Sequence, residues 1–151
     1  MQILALDPAT KCGFAHSDGY SGTWDLSVRR DESCGMRLLR LGAKLAEVKC
    51  TIGVDLVVFE AARHAGPKMQ GALVVQSELQ GQIKAWATAH KIDYRGYSPS
   101  EIKKRATGKG NGKKDAVFAA AVEKWGGAVV KDDNQADALW LLDLARSEYD
   151  A

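Results

Sequence analysis

The sequence predicts an α/β domain with a mixed five-stranded sheet flanked by helices. Three observations support this prediction. Residues 1–26 contain short apolar runs separated by turn signals, a β-branched run at 54–59 follows a helical pattern, and the segment from residue 98 onward is mostly helical in pattern. Strands followed by helices in this order are typical of a sheet covered by helices.

The amino-terminal segment predicts three antiparallel strands. Residues 2–6 form an apolar run that ends at Asp7 and a proline, which is typical of a strand followed by a turn. Residues 12–17 and 22–26 predict two further strands around an Asp-Gly turn signal.

A helix and then a buried strand are predicted next. Apolar residues recur at helical spacing between residues 32 and 50. Residues 54–59 follow, and this run is too apolar for an edge strand. We therefore expect it to pair in parallel in the middle of the sheet, with Glu60 at its end.

The rest of the chain predicts one more strand and four helices. A long helix is expected over residues 69–90 and a short strand over 92–95. Ser98 and the proline after it provide the start of a helix. Two further helices are expected over 113–125, where a glycine pair ends the pattern, and over 132–149.

Composition excludes several classes of protein. The chain has 151 residues, of which 46% are hydrophobic and 26% charged, so it is too apolar for a disordered chain. Its apolar runs are too short to span a membrane, and its amino-terminal residues do not resemble a secretory signal. Three cysteines without a CxxC pair, Cys12, Cys34 and Cys50, disfavour a disulfide framework and a structural zinc site. We therefore expect one domain over residues 1–151, located in the reducing cytoplasm.

The charge is distributed unevenly, although the formal net charge is only +2. Residues 95–114 contain seven basic side chains and one acidic side chain, whereas residues 131–151 are net acidic. The basic residues are Arg95, Lys103, Lys104, Arg105, Lys109, Lys113 and Lys114. Such a segment is either a solvated helix face with its loop or a surface that binds phosphates.

Three acidic residues are candidates for catalysis. Asp7 ends the first predicted strand, Glu60 ends the buried fourth strand, and Asp137 lies in the last predicted helix. Each has an ordinary explanation when taken alone: a turn residue, a solvated strand end and a helix surface residue. Their combination suggests a shared site.

The position of Asp137 is the least ordinary of the three. Trp140 and Leu141 share its helix face, so its carboxylate lies in an apolar stripe where burial is costly unless the charge is paired or bound to a metal. No lysine or arginine lies three or four residues away. Asp133 and Asn134 do lie at that spacing and add oxygen donors to the same face.

Clustered acids beside a basic segment fit a polyanionic substrate. Carboxylate and amide oxygens are the ligands that Mg²⁺ and Mn²⁺ prefer. Two such cations held by shared carboxylates activate a water and stabilise the leaving oxygen of a phosphodiester. The lysines then bind the flanking phosphates.

The motifs resemble those of the RuvC-type Holliday junction resolvases of the ribonuclease H-like superfamily, in their compact phage-associated branch. Residues 3–10 are similar to the opening strand of that family with its first catalytic aspartate, and residues 54–60 to its second acidic motif. Residues 97–104 and 108–117 resemble its basic segment, and residues 134–139 its last motif.

The resemblance implies a ribonuclease H-like fold, a homodimer, and metal-dependent symmetric nicking of four-way DNA junctions in recombination and repair. It implies that Asp7, Glu60 and Asp137 are metal ligands. Lys103 and Lys114 match the lysines that the family places near the scissile phosphate, and Lys113 is an alternative to Lys114. We expect the other basic residues of this segment, Lys104, Arg105 and Lys109, to contact DNA as well.

The chain departs from the family pattern at three points, one of which is that it is shorter than typical bacterial members. Asn134 stands three residues before Asp137, where the family has an acidic residue or histidine, so either Asn134 or Asp133 completes the metal site. The aromatic residue that follows the second acidic motif in bacterial members is absent, and Arg63 or His64 is expected to contact DNA there.

Two alternative functions stay open at this point. Asn134 favours a junction-binding structural protein that keeps the fold without the chemistry. A nuclease that cuts RNA–DNA hybrids is the alternative within the same superfamily. Small and polar residues in the helix over 69–90, namely Gly71, Ser77 and Gly81, predict a face on which a second copy packs.

Overall fold

The elements of the fold follow the predicted order in a computed structural model that describes residues 1–62 and 70–150. The strands are β1 (Ile3–Asp7), β2 (Lys11–His16), β3 (Ser21–Asp25), β4 (Leu56–Glu60) and β5 (Asp93–Tyr97). The helices are α1 (Gly35–Thr51), α2 (Gln70–Ala89), α3 (Pro99–Thr107), α4 (Lys114–Trp125) and α5 (Asp133–Tyr149).

The five strands form one mixed sheet in the order β3-β2-β1-β4-β5. The first three strands are antiparallel neighbours, and β4 pairs in parallel with both β1 and β5. The central position of β4 follows from its burial on both faces. Leu6 lies opposite Phe59 in the parallel pair, so the next residues, Asp7 and Glu60, reach the same edge of the sheet.

Helices cover both faces of the sheet, and β1 is buried between them. Ile3 and Ala5 belong to the apolar core that includes the buried face of α5. Leu4 and Leu6 point to the opposite core, which α1 and α2 cover. This alternation is the two-residue period of a strand, and it explains why all five residues of β1 are buried.

Helix α5 approaches the sheet closely at β2. A Cβ atom at Gly13 would lie 1.9 Å from the backbone oxygen of Asn134, so only glycine permits this contact. Small residues on the buried face of the helix, including Ala136 and Ala138, allow it to lie flat on the strands. The first turns of α5 are therefore fixed beside the end of β1.

Side-chain hydrogen bonds explain where α3 and α1 begin. Ser98 caps α3 as predicted, because its hydroxyl accepts from the Glu101 backbone N–H at 3.2 Å while the Glu101 carboxylate accepts from the Ser98 N–H at 2.7 Å. Helix α1 starts at Gly35, three residues later than predicted. Glu32 lies in a turn instead, where its side chain accepts from the backbone N–H of Arg29 at 2.6 Å.

Within the described ranges, every helix is too short or too polar to cross a membrane.

Candidate active site

Residues from six elements, β1, β4 and α2 to α5, line one cavity of about 480 Å³ at the carboxyl edge of β1 and β4. Asp7 and Glu60 come from the ends of these strands, and Asp137 comes from the second turn of α5. The other polar residues of the lining are Asn134, Lys103, Lys114 and Gln76. The parallel pairing of β1 with β4 and the packing of α5 on the sheet thus place the three predicted acids in one cavity.

Asp7 is the most deeply buried of the three acids, with 7% of its surface exposed. Burial raises the pKa of its carboxyl well above the ordinary value, and the negative charges of Glu60 and Asp137 raise it further. A hydrogen bond between the Asp7 and Glu60 side chains also contributes to this increase. Burial and the two neighbouring negative charges therefore disfavour the charged form of Asp7.

The pKa values of Asp137 and Glu60 are raised as well, and burial is the largest cause for both acids. Burial and then the charge of Glu60 raise the pKa of Asp137 to about 7, against the opposing effect of Lys114. Burial likewise raises the pKa of Glu60, although its bond to Asp7 and the charge of Lys103 lower it. The two lysines therefore offset only part of the repulsion among the acids.

This donor set fits divalent cations by its chemistry. Three carboxylates and an amide are hard oxygen donors. A bound cation would stabilise the charged forms that burial disfavours and would offset the repulsion that adds to the raised pKa values of Asp7 and Asp137. In the conformation that the structure describes for residues 1–62 and 70–150, no three His, Cys, Asp or Glu side chains are already arranged to hold a metal ion.

The two candidates for a fourth ligand differ in their surroundings. Asn134 lines the cavity together with the three acids. Asp133 is absent from the lining, and its Oδ2 atom accepts from the Lys114 Nζ at 3.0 Å. Asn134 is thus part of the cavity wall, whereas the Asp133 carboxylate is bound to a lysine.

The six basic residues between positions 103 and 114 divide into three groups. Lys103 and Lys114 line the cavity, whereas Lys113 does not. Lys104 and Arg105 border a separate surface groove, and the Arg105 guanidinium is bound to Asp143 at 2.6 Å. The remaining two lysines, Lys109 and Lys113, are exposed in and beside the glycine-rich loop. Arg95 binds Glu148 at 2.5 Å, and Arg63 and His64 lie outside the described residues.

A hydrogen-bond network that the sequence did not reveal fixes the start of α5. Asp132 caps the helix by accepting from the Gln135 backbone N–H at 2.8 Å, and it also accepts from the Thr23 hydroxyl at 2.8 Å. The Gln135 side chain donates to Ser21 at 3.0 Å and to the Val129 carbonyl at 2.9 Å. An aspartate before an apolar helical pattern is a recognisable cap, but its bond to β3 has no local signal.

Two glutamines of α2 also belong to this region. Gln76 lines the cavity, and Gln80 accepts from the backbone N–H of Ala62 at 2.8 Å. The second contact fixes the chain just after Glu60. Both residues are polar side chains in an otherwise ordinary helical pattern, so the sequence alone did not distinguish them.

Comparison with known proteins identifies the family to which this site belongs. The chain is 35% identical over 146 residues to the crossover junction endodeoxyribonuclease RuvC of Brachyspira hyodysenteriae, an alignment that covers 92% of this chain and 89% of the relative. The chain belongs to the RuvC family. No protein-family model matches it. The family assignment confirms the predicted class of enzyme, a crossover junction endodeoxyribonuclease, while the phage-associated branch stays a prediction.

Two solved structures resemble the RuvC-type chain over its whole length. The structure of Thermus thermophilus RuvC in complex with a Holliday junction substrate has a TM-score of 0.78 and 18% identity, covering 99% of this chain and 94% of that one. Another T. thermophilus RuvC structure has a TM-score of 0.75 and 19% identity, with 99% and 95% coverage. These similarities confirm the predicted ribonuclease H-like α/β fold.

Proposed function

We propose that this RuvC-family chain nicks four-way DNA junctions, and related branched DNA, in a reaction that depends on divalent metal ions. The observation that carries the proposal is the single cavity in which Asp7, Glu60 and Asp137 meet Lys103 and Lys114. The similarity to a RuvC structure in complex with a Holliday junction supports the choice of substrate.

The carboxylates of Asp7, Glu60 and Asp137 would hold Mg²⁺ or Mn²⁺, two ions in each site. Asn134 is the better placed of the two candidates for a fourth ligand, because it lines the cavity and Asp133 does not. When bound, such a pair of ions activates a water and stabilises the leaving oxygen of the phosphodiester.

The lysines of the cavity bind the DNA backbone. Lys103 and Lys114 supply two positive charges beside the acids, where a phosphate that enters the site would otherwise be repelled. Ile102 and Val117 form apolar parts of the same wall, and they lower the local dielectric constant so that each ammonium attracts a phosphate more strongly than in water.

A larger DNA surface extends from the cavity along the glycine-rich loop. The exposed Lys109 and Lys113 would contact phosphates outside the cleavage point, together with Lys104. Arg105 contributes to this surface only by exchanging its bond to Asp143 for a phosphate. Arg63 and His64 stay predicted DNA contacts.

A second copy of the chain would supply the second cut that symmetric nicking requires. Helix α2 buries Leu79, Ile83, Trp86 and Ala87, and its opposite face is exposed. Gly71 and Gly81 lie on the exposed face with open space where a Cβ would stand, and Val74 there is 56% exposed. We therefore infer a homodimer through this face, and sedimentation should show monomers for Gly81→Arg but dimers for the wild type.

The deciding experiment compares wild type and Asp7→Asn on a synthetic four-way junction, with Mg²⁺, with Mn²⁺ and with chelator. We expect paired nicks by the wild type only when metal is present, and loss of at least about 1000-fold in the Asp7→Asn variant with binding retained. Asp115→Asn is the matched control, because this exposed acid of α4 lies outside the cavity.

The other outcomes distinguish the alternative functions. A wild type that binds the junction but does not cut it with either metal would be a structural junction-binding protein, for which Asn134 is the favouring residue. Faster cutting of an RNA–DNA hybrid than of the junction would indicate the hybrid nuclease. Equal cutting by wild type and Asp7→Asn would contradict the proposed active site.

A further inference from the structure

The first residues of α4 and α5 meet beside the cavity, and their side chains form an ion pair. Lys114 Nζ and Asp133 Oδ2 lie 3.0 Å apart. Lys114 lines the cavity, whereas Asp133 does not. Asp133 therefore contacts the lysine from outside the group of acids that the cavity encloses.

We propose that Asp133 is a positioning residue that holds the Lys114 ammonium at the cavity for the incoming phosphate, and that it is not a metal ligand. This inference deepens the proposed nuclease function and rests on it. It also assigns different roles to the two neighbours that the sequence could not separate, Asp133 and Asn134.

Helix dipoles explain why Lys114 needs such a partner. Lys114 is the first residue of α4, where the positive end of the helix dipole disfavours a cation. A lysine side chain also has four flexible bonds, and considerable rotamer entropy opposes holding it in one place. A carboxylate in contact with the ammonium offsets both effects.

Asp133 is well suited to stay charged in this role. It lies in the first turn of α5, where the helix dipole favours an anion. The Lys114 Nζ donates to the Asp133 Oδ2 at 3.0 Å and stabilises this carboxylate, whereas Asp137 one turn later forms no such ion pair among the described residues. The Asp133 side chain is 43% exposed, so it also lacks the enclosed surroundings of the acids in the cavity.

The first test is a double-mutant cycle on single-turnover nicking of the four-way junction. We expect Asp133→Asn to slow nicking at saturating DNA roughly 10-fold, because a loosened Lys114 must be ordered again in each reaction. Lys114→Met should slow it more, and adding Asp133→Asn to Lys114→Met should slow it no further. An equal 10-fold loss on both backgrounds would overturn the proposal.

Two further variants separate contact from charge. Asp115→Asn removes an exposed acid from the first turn of α4, next to Lys114 in sequence, and should leave the rate within about twofold. Asp133→Glu keeps a carboxylate that can reach the ammonium and should recover most of the rate. Slowing by Asp115→Asn to the same extent, or no recovery by Asp133→Glu, would contradict a specific contact.

Metal binding distinguishes a positioning residue from a ligand. Calorimetric titration of the metal-free protein with Mn²⁺ should give Asp133→Asn the affinity of the wild type, whereas Asp7→Asn should bind much more weakly. An equal loss in both variants would make Asp133 a ligand and overturn the inference.

A third measurement does not depend on nuclease activity. Proton–nitrogen correlation spectra detect a lysine ammonium when a lasting hydrogen bond protects its protons, and Lys114→Met identifies the signal. The Lys114 signal should be present in the wild type and in Asp115→Asn, and absent in Asp133→Asn. An unchanged signal in Asp133→Asn would refute the contact, whereas a wild type that fails to nick any junction would refute the proposed function alone.

Discussion

Two of the acids in helix α5, Asp137 and Asp143, have opposite surroundings. Asp143 accepts from Arg105 Nε at 2.6 Å and from Lys124 Nζ at 2.7 Å. Although burial disfavours its charge, these two partners keep the pKa of Asp143 below the ordinary value. Asp137 has no such ion pair in the described part of the chain, and its pKa is raised to about 7.

The two ends of α5 therefore have different tasks. At the carboxyl-terminal half, acids bind cations that the protein itself supplies, and these pairs join α3 and α4 to α5. At the amino-terminal half, Asp137 faces other acids, and the charge that would balance them is not part of the chain. Helix α5 thus combines a half that holds the fold together with a half for which we propose binding of an external cation.

The largest expected effects come from replacing Asp137 or Asp143 by asparagine. The first change should affect nicking and the second the stability of the fold. Asp137→Asn should lower nicking at least about 1000-fold, since a ligand is lost, and should not destabilise the metal-free protein. Asp143→Asn should keep most of the nicking activity but lower the free energy of unfolding by about 2 kcal/mol, because it breaks two charged hydrogen bonds. Junction nicking and urea unfolding in chelator measure the two effects.

Loss of nicking in Asp143→Asn equal to that in Asp137→Asn would break the comparison. Gel-shift binding of the junction checks that both variants still recognise DNA, so that a change in rate reflects the chemical step.

A substitution at Gly13 tests whether the amino-terminal half of α5 must pack closely on the sheet. Gly13→Val should destabilise the protein by roughly 3 kcal/mol, because the new side chain clashes with the Asn134 backbone and displaces the start of α5. Nicking should fall with it. Gly127→Ala is the control, since a Cβ there meets only an ordinary contact, 3.8 Å from the Val122 Cγ1. Thermal unfolding of both variants decides the point, and an unaffected Gly13→Val would contradict the close approach.

A smaller effect should appear in the pH dependence of stability without metal. The raised pKa of Asp137 means that the folded protein binds a proton between about pH 4 and pH 7 that the unfolded chain releases. Stability should therefore fall as pH rises through this window, by at most about 1.4 kcal/mol per pH unit for one group. Asp143 has the opposite sign, because its lowered pKa adds stability that is lost only as the pH falls below its ordinary value.

Urea unfolding in chelator between pH 4.5 and 7.5 measures this slope. Asp137→Asn should flatten it and Asp143→Asn should not. The same slope in wild type and Asp137→Asn would show that Asp137 titrates normally.

Much of this arrangement could be predicted from the sequence because the signals are local. The apolar runs that end at Asp7 and Glu60 predict both strand ends, and burial of the second run predicts the parallel pairing that brings them together. Asp137 is recognisable by its apolar helix face. In combination, these signals suggest one shared site for the three acids.

The remaining features depend on contacts between distant residues. Asp133 and Asn134 share a helix face, and only the position of Lys114 on another helix separates their surroundings. Arg105 looks like any member of a basic segment until Asp143 is placed beside it. Gly13 resembles an ordinary strand glycine, and its necessity comes from the backbone of α5.

The bond between Thr23 and Asp132 joins the β-hairpin near the start of the chain to the cap of its last helix. Because the ribosome synthesises the chain from its amino terminus, Asp7 and Glu60 are made long before Asp137. A nascent chain, or one cut by a protease ahead of α5, would keep two acids at the strand ends but would leave the apolar face of β1 uncovered. We expect such a fragment to be inactive toward DNA and exposed to degradation. The packing of α5 onto the sheet would then both complete folding and complete the proposed active site.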